Sequence, residues 1–355
     1  MRIGIPREIK TREGRVALIP AAVAELVRAG HEVFIEAGAG QASGYPDADF
    51  REAGALLLDG AAAVFERAQL IVKVKEPLPD EVERLRPGHI LFSFLHLAAL
   101  PDLARRLQAK GVTAIAFETV EEGGRLPLLA PMSDIAGRLS IHIGTTLLHG
   151  YHGGRGLMLG GMPSTERGNV VILGAGNAGG NAVAVAAALG AQVTVFAPHR
   201  EALERMYRLG PNVTALPPYA TQIEEAVCQA DLLIGAVLIP GASAPKLVTT
   251  AMVKRMKPGS VIIDISVDQG GCIETTRPTD YENPTYIEHG VVHFGVTNMP
   301  GAVPRTATQA LSTVLTPYIL RLAAPGGLED PAIAHGINIA DGRIVHPAVA
   351  QALAG

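Results

Sequence analysis

The sequence predicts an α/β protein of parallel sheets divided into two domains. Three observations carry this expectation. Residues 170–196 read as strand, glycine turn, helix, strand. Strand-like and helix-like segments alternate on both sides of that unit. At 355 residues the chain exceeds what one core usually supports. The central unit is the most specific. Four apolar residues at 170–173, rich in β-branched types, read as a short buried strand. They run into Gly174-x-Gly176-x-x-Gly179, then an Ala-rich helix over 181–189 closed by Gly190, then a strand at 192–196. That context turns a weak glycine pattern into a dinucleotide-binding one. The first glycine permits the tight turn and the second lets the backbone approach a pyrophosphate. The third lets the helix pack close, and the helix start supplies N–H groups and partial positive charge.

Taken in order, residues 2–5 read as a strand, 21–29 as a helix closed by Gly30, and 32–36 as a strand. Helices are expected over 47–53 and 61–67. Residues 70–75 alternate, with Val72 and Val74 on one face and Lys73 and Lys75 on the other. A strand over 90–95 places Phe92, Phe94 and His96 on one side; a helix over 100–108 and a strand over 112–117 follow. Ser133 is placed to cap a helix beginning near Asp134. The glycine- and proline-rich stretch 151–168 reads as a loop. Beyond the central unit the pattern predicts helices at 201–209 and 223–229, a strand at 231–237, a helix at 250–256, and strands at 260–267 and 291–297. A helix over 307–322 then leads away from that sheet.

Composition excludes several function classes. With 48% hydrophobic and 18% charged residues and a net charge of -4, nothing argues for nucleic acid or a membrane surface as partner. The N-terminus lacks a signal-peptide pattern, and no run of about 18 apolar residues offers a bilayer span. Cys228 and Cys272 fit neither a metal pattern nor a disulfide framework, so a cytoplasmic setting and no metal are expected.

Polar residues at strand ends mark the candidate site. Asp268 follows the expected strand 260–267, Asn298 follows 291–297, and Val237 with Leu238 ends a third. In an open parallel sheet ligands sit outside the carboxyl ends of the strands, which points these residues to the glycine turn. Taken singly, Asp268 also reads as a turn-former before Gly270-Gly271, and Asn298 as an Asx-turn before Pro300. His96 reads as a core histidine or a proton-transfer group. Lys75 and Arg15 read as solvated charges or as cations for a substrate.

Together the motifs resemble those of the alanine dehydrogenase family, shared with the soluble nucleotide-binding part of proton-translocating transhydrogenase. The resemblance spans essentially the whole chain. It rests on GIPREIK at 4–10 with RVAL at 15–18, VKVKEP at 72–77, LHLAA at 95–99 and LLAPMS at 128–133. AVLIPG at 236–241, DQGGC at 268–272 and NMPGAVP at 298–304 complete it. It implies that Arg15 and Lys75 hold the substrate carboxylate, with Asn298 beside it, and that His96 and Asp268 are the catalytic pair. It also implies cofactor contacts from Ser133, from Gly174, Gly176, Asn177, Ala178 and Gly179, and from Val237 and Leu238. Ile265, Ser266, Val267 and Asp268, then Arg277, then Val296, Thr297, Asn298 and Met299 complete that set.

The resemblance further implies two Rossmann-like domains separated by a cleft, the second inserted into the first. Residues 1–130 plus 305–355 would form the substrate domain and 131–304 the dinucleotide domain, in a homo-oligomer, often a hexamer. The implied activity is interconversion of L-alanine with pyruvate and ammonia, using NAD or NADP. Rival readings are a related amino-acid dehydrogenase, a transhydrogenase-type domain, or a non-catalytic nucleotide sensor. Three positions depart from the family pattern: Ser266 and Thr297 each replace a usual Ala, and Ala197 stands where an acidic residue normally binds the ribose. With that carboxylate gone, Arg200 is a candidate partner for a 2′-phosphate.

Overall fold

The computed structural model describes residues 1–237 and 244–354; Leu238 lies outside them. The first strands are β1 (Arg2–Ile5), β2 (Glu32–Glu36), β3 (Leu56–Leu58), β4 (Leu70–Val72), β5 (Ile90–Ser93) and β6 (Thr113–Ala116). Then come β7 (Asn169–Leu173), β8 (Gln192–Phe196), β9 (Val213–Leu216), β10 (Leu232–Gly235), β11 (Val261–Asp264), β12 (Thr285–Glu288) and β13 (Val291–Phe294). The antiparallel pair β14 (Ile337–Ala340) and β15 (Arg343–Ile344) ends the series. Two compact units result: Met1–Met132 with Gly301–Gly355, and Ser133–Pro300. Their limits fall at 132/133 and 300/301, against the expected 130/131 and 304/305.

Each unit is a doubly wound sheet, as the alternation of strands and helices predicts. In the first, the order is β15-β14-β6-β5-β4-β1-β2-β3, with β1 to β6 parallel and β14 antiparallel to β6. In the second it is β12-β13-β11-β10-β7-β8-β9, parallel except for edge strand β12. Strand order therefore reverses between β1 and β4 in one unit and between β7 and β10 in the other. Covered on both faces, the central strands carry unbroken apolar runs: Leu70, Ile71 and Val72, like Ile172, Leu173 and Leu232, are fully buried. On one face of the second sheet, Val170, Ile172 and Ile234 pack against the small residues Ala182, Val183 and Ala186 of helix Asn177–Ala188.

Several boundaries differ from expectation for local reasons. Strand β11 stops at Asp264, whose carboxylate accepts the Ser266 N–H at 3.0 Å and turns Ile265–Gln269 into a 3-10 helix. Asp268 thus sits inside that turn and not directly after a strand. Strand β13 ends at Phe294, and Asn298 takes a left-handed conformation, φ +60°. Strands β4 and β5 also end early, at Val72 and Ser93. Ser133 is no cap: helix Ala130–Leu147 begins three residues before it, with Pro131 tolerated in the first turn, where its missing N–H has no helical partner.

Candidate active site

In the first unit the polar residues of interest follow the carboxyl ends of adjacent parallel strands. Glu8 to Arg15 follow β1, Lys73 to Glu76 follow β4, His96 follows β5 and Glu118 follows β6. Arg15 is 2% exposed and is held by Glu13, with Nε donating to Oε1 at 2.7 Å. Its Nη1 donates to Met132 Sδ at 3.2 Å. A buried guanidinium paired this closely is held in orientation rather than solvated. Lys75 Nζ lies 3.7 Å from Glu76 Oε2, and Lys10 also pairs with Glu76. Burial pushes the Glu76 carboxyl up, but Lys75 and Lys10 outweigh it and hold it below its usual range.

His96 sits on a strained turn at φ +48°. Glu118 holds that turn: its Oε1 accepts the His96 N–H at 2.6 Å, and both its oxygens accept the Leu95 N–H at 3.3 Å. The same Oε1 is 3.9 Å from His96 Nδ1. The Phe94 ring stacks on the imidazole, centroids 5.9 Å apart and planes 5° from parallel. With its side chain 40% exposed, His96 is not a core histidine. Orientation by a carboxylate on one side and a ring on the other suits a proton-transfer group.

In the second unit the glycine turn follows β7. A Cβ on Gly174 would overlap the Ala236 carbonyl of the neighbouring crossover, and one on Gly179 would overlap the Gly174 carbonyl. A Cβ on Gly176 meets nothing within 4 Å. The outer two glycines are thus required by packing, and the middle one faces open space at a helix start, where N–H groups lack helical partners. This fits a pyrophosphate against the backbone of Gly176, Asn177 and Ala178. Helix Ala130–Leu147 brings Gly137 so close that its Cβ would overlap the Ala178 carbonyl. Beside it, Asn181 Nδ2 donates to Asp134 Oδ1 at 2.9 Å, and Arg138 Nε donates to Asn181 Oδ1 at 2.9 Å. Burial raises the Asp134 carboxyl, opposed by Arg138.

The remaining sequence-predicted residues follow the carboxyl ends of neighbouring strands: Ala197 after β8, Val237 after β10, Ile265 to Asp268 after β11, and Val296 to Met299 after β13. Asp268 is exposed, whereas Ser266 and Val267 are buried. Asp264, which the sequence reading passed over, pins both arms of the Asp268 turn. Besides Ser266 N–H it accepts the Cys272 N–H at 3.0 Å and the Thr276 hydroxyl at 2.7 Å. Burial raises its carboxyl, and these donors oppose the rise. Arg277 lies 4.3 Å over the Tyr286 ring, which also stacks with His293 at 5.0 Å. Tyr281 donates to the Met299 carbonyl at 3.0 Å; burial pushes its phenol up to about 12. Arg200 begins helix Arg200–Tyr207 with its side chain 90% exposed, 2.8 Å from Glu204. Among the described residues there is no metal-binding cluster, and no helix is long and apolar enough to cross a membrane.

Comparison with known proteins agrees with this geometry. The profile for the N-terminal domain of alanine dehydrogenase/PNT matches residues 4–136, and that for the C-terminal domain matches 140–347. The alanine dehydrogenase of Mycolicibacterium smegmatis is 49% identical over 99% of this chain and 97% of its own length. That of Bacillus subtilis is 48% identical over 99% and 95%. A solved L-alanine dehydrogenase is 50% identical, covers 100% of this chain and 99% of its own, and superposes with a TM-score of 0.96. A transhydrogenase from Sinorhizobium meliloti is 27% identical with a TM-score of 0.85, over 98% and 100%. Two doubly wound units, a glycine turn in the second, and matches across both domains lead to one conclusion: the chain belongs to the alanine dehydrogenase/PNT family, whose cofactor is a nicotinamide dinucleotide.

Proposed function

We propose that the chain interconverts L-alanine with pyruvate and ammonia, Met1–Met132 with Gly301–Gly355 serving the substrate and Ser133–Pro300 the dinucleotide. The observation that carries this reading is the edge of the first sheet. There a buried arginine, a lysine and a carboxylate-oriented histidine follow strands that are neighbours or next neighbours. Two cations suit a carboxylate, and a histidine suits the proton transfers of amine chemistry. The dinucleotide, when bound, supplies the hydride acceptor for the α-carbon. Arg15 and Lys75 fix the substrate carboxylate and so aim the α-hydrogen, converting binding into alignment. Asp268 sets negative charge beside the cationic iminium formed on the substrate. His96 takes a proton from the water that adds to this iminium and returns one to the departing ammonia; the reverse sequence runs for amination. Asn298 gives a hydrogen bond to the substrate from its left-handed turn. Ser133, Arg277 and the segments at 237, 265–268 and 296–299 surround the cofactor.

The cofactor range includes NADP in this reading. Ala197, buried at the end of β8, offers no carboxylate to a ribose hydroxyl and no repulsion to a 2′-phosphate. The Arg200–Glu204 pair is a solvated i,i+4 helix contact, weak enough that a phosphate can displace Glu204. Buried free Cys228 and Cys272 accord with a cytoplasmic enzyme, and family resemblance supports a homo-hexamer. The decisive experiment is a matrix of amino acids against NAD and NADP at alkaline pH, with pyruvate amination run in reverse. Alanine as the preferred substrate is expected. No turnover with any amino acid would favour a nucleotide sensor, and hydride exchange between dinucleotides alone would favour a transhydrogenase-type domain.

A further inference from the structure

At the point where strand order reverses in the first unit, between β1 and β4, three ionisable side chains are buried together. Lys73 has 1% of its side chain exposed, Glu8 3% and Glu81 2%. Lys73 Nζ donates to Glu8 Oε2 at 3.0 Å and lies 2.8 Å from Glu81 Oε1. The other contacts of the carboxylates are with the backbone. Glu8 Oε1 accepts the Val74 N–H at 2.6 Å, and its Oε2 meets the Lys75 N–H at 3.4 Å. Glu81 Oε2 accepts the Leu78 N–H at 2.9 Å. The segment from Lys73 to Leu78 is therefore held at both ends by carboxylates that share one ammonium, and Lys75 is carried between them.

A role in stability alone explains this arrangement poorly. A buried ion group of this kind is often replaceable by apolar side chains at no net loss, because desolvation offsets the attraction. Here two carboxylates share one cation. Burial raises the Glu8 carboxyl, with Lys73 and the Val74 N–H opposing and Glu13 adding to the rise. What the group does achieve is direction. Each carboxylate oxygen toward the segment is spent on an amide, and Val74, fully buried, prevents the turn from rolling. The position is also the one where ligands of doubly wound sheets bind.

We propose that Glu8, bridged by Lys73 to Glu81, is the positioning residue for Lys75, fixing the segment that presents this lysine to the substrate carboxylate. The proposal rests on Lys75 holding that carboxylate. Glu8→Gln keeps a carbonyl oxygen for the Val74 N–H but sets an amide against the Lys73 ammonium. Its test is a cycle of Glu8→Gln, Lys75→Met and the double variant, read as KM for pyruvate and kcat separately. NADH affinity serves as a control on the other unit.

Lys75→Met should raise pyruvate KM about ten- to hundredfold, the loss of one charge-assisted hydrogen bond. Glu8→Gln should raise it roughly tenfold, with kcat and NADH affinity within about threefold of the parent, and should add nothing in the Lys75→Met background. An unchanged KM in Glu8→Gln, or effects that simply add in the double variant, overturns the proposal while leaving the role of Lys75 standing. An unchanged KM in Lys75→Met overturns that role and the proposal with it. If Glu8→Gln yields no folded protein, Glu81→Gln at the other end of the segment must show the same coupling to Lys75→Met, and additivity there overturns the proposal equally.

Discussion

Replacing Gly176 by alanine should separate the cost of losing cofactor from the cost of folding. The backbone there, φ −73° and ψ −161°, suits any residue, and the new methyl meets no protein atom within 4 Å. Only the preference for Gly over Ala at a helix start is lost. That amounts to roughly 0.5–1 kcal/mol, or about 2–3 °C in Tm for a domain of this size. The same methyl fills the space through which a pyrophosphate reaches the helix N–H groups. Losing two charge-assisted hydrogen bonds at roughly 1.5–3 kcal/mol each weakens binding by about a hundredfold or more. Gly179→Ala should behave oppositely. Its methyl overlaps the Gly174 carbonyl, so the helix must move off the strand at an overpacking cost of about 1–3 kcal/mol. The assay is NADH fluorescence enhancement beside thermal unfolding. Parental NADH affinity in Gly176→Ala would refute the placement of the pyrophosphate; a parental Tm in Gly179→Ala would refute the packing argument.

Three further outcomes are expected. His96→Ala should lower kcat about 10²–10⁴-fold with NADH affinity unchanged, and near-parental turnover would remove the histidine from the chemistry. Asp264→Asn has one acceptor oxygen where the carboxylate serves the Ser266 and Cys272 N–H groups and the Thr276 hydroxyl, besides the Cys272 thiol at 3.8 Å. It should loosen the Asp268 turn and lower kcat/KM for alanine at least about tenfold, and a parental value would show the turn holds without it. Ala197→Asp should lower the ratio of kcat/KM for NADP over NAD by about tenfold or more through restored repulsion, and an unmoved ratio would place the ribose elsewhere.

What the sequence made legible follows from how local each signal is. The glycine turn is readable because strand, turn and helix lie within about 20 consecutive residues, and the outer two glycines are required by packing while the middle one opens the backbone to a ligand. Strand ends are less legible wherever a side chain competes with the ladder. The run from Ile263 to Val267 has the composition of a strand, yet Asp264 captures the Ser266 N–H and folds the chain into a 3-10 turn. Alternation places Lys73 beside Lys75 on the face opposite Val72 and Val74; in the fold β4 ends at Val72 and Lys73 is buried on Glu8, 65 positions away in the chain. Glu118 shows the same limit. Nothing near it marks it, but it follows the carboxyl end of β6, next to β5, and from there closes the turn of His96. The rule that points to Asp268 and Asn298 also covers Glu8 and Glu118, which follow β1 and β6 in the first sheet. A glutamate after a strand nevertheless resembles a solvated charge until its donors are known. The donors in question are backbone N–H groups of crossovers that meet only once the strand order is fixed. The residues that touch substrate can thus be guessed from type and place. Those that aim them are carboxylates whose meaning is set by topology, and the order β6-β5-β4-β1 is what turns four unremarkable side chains into one edge.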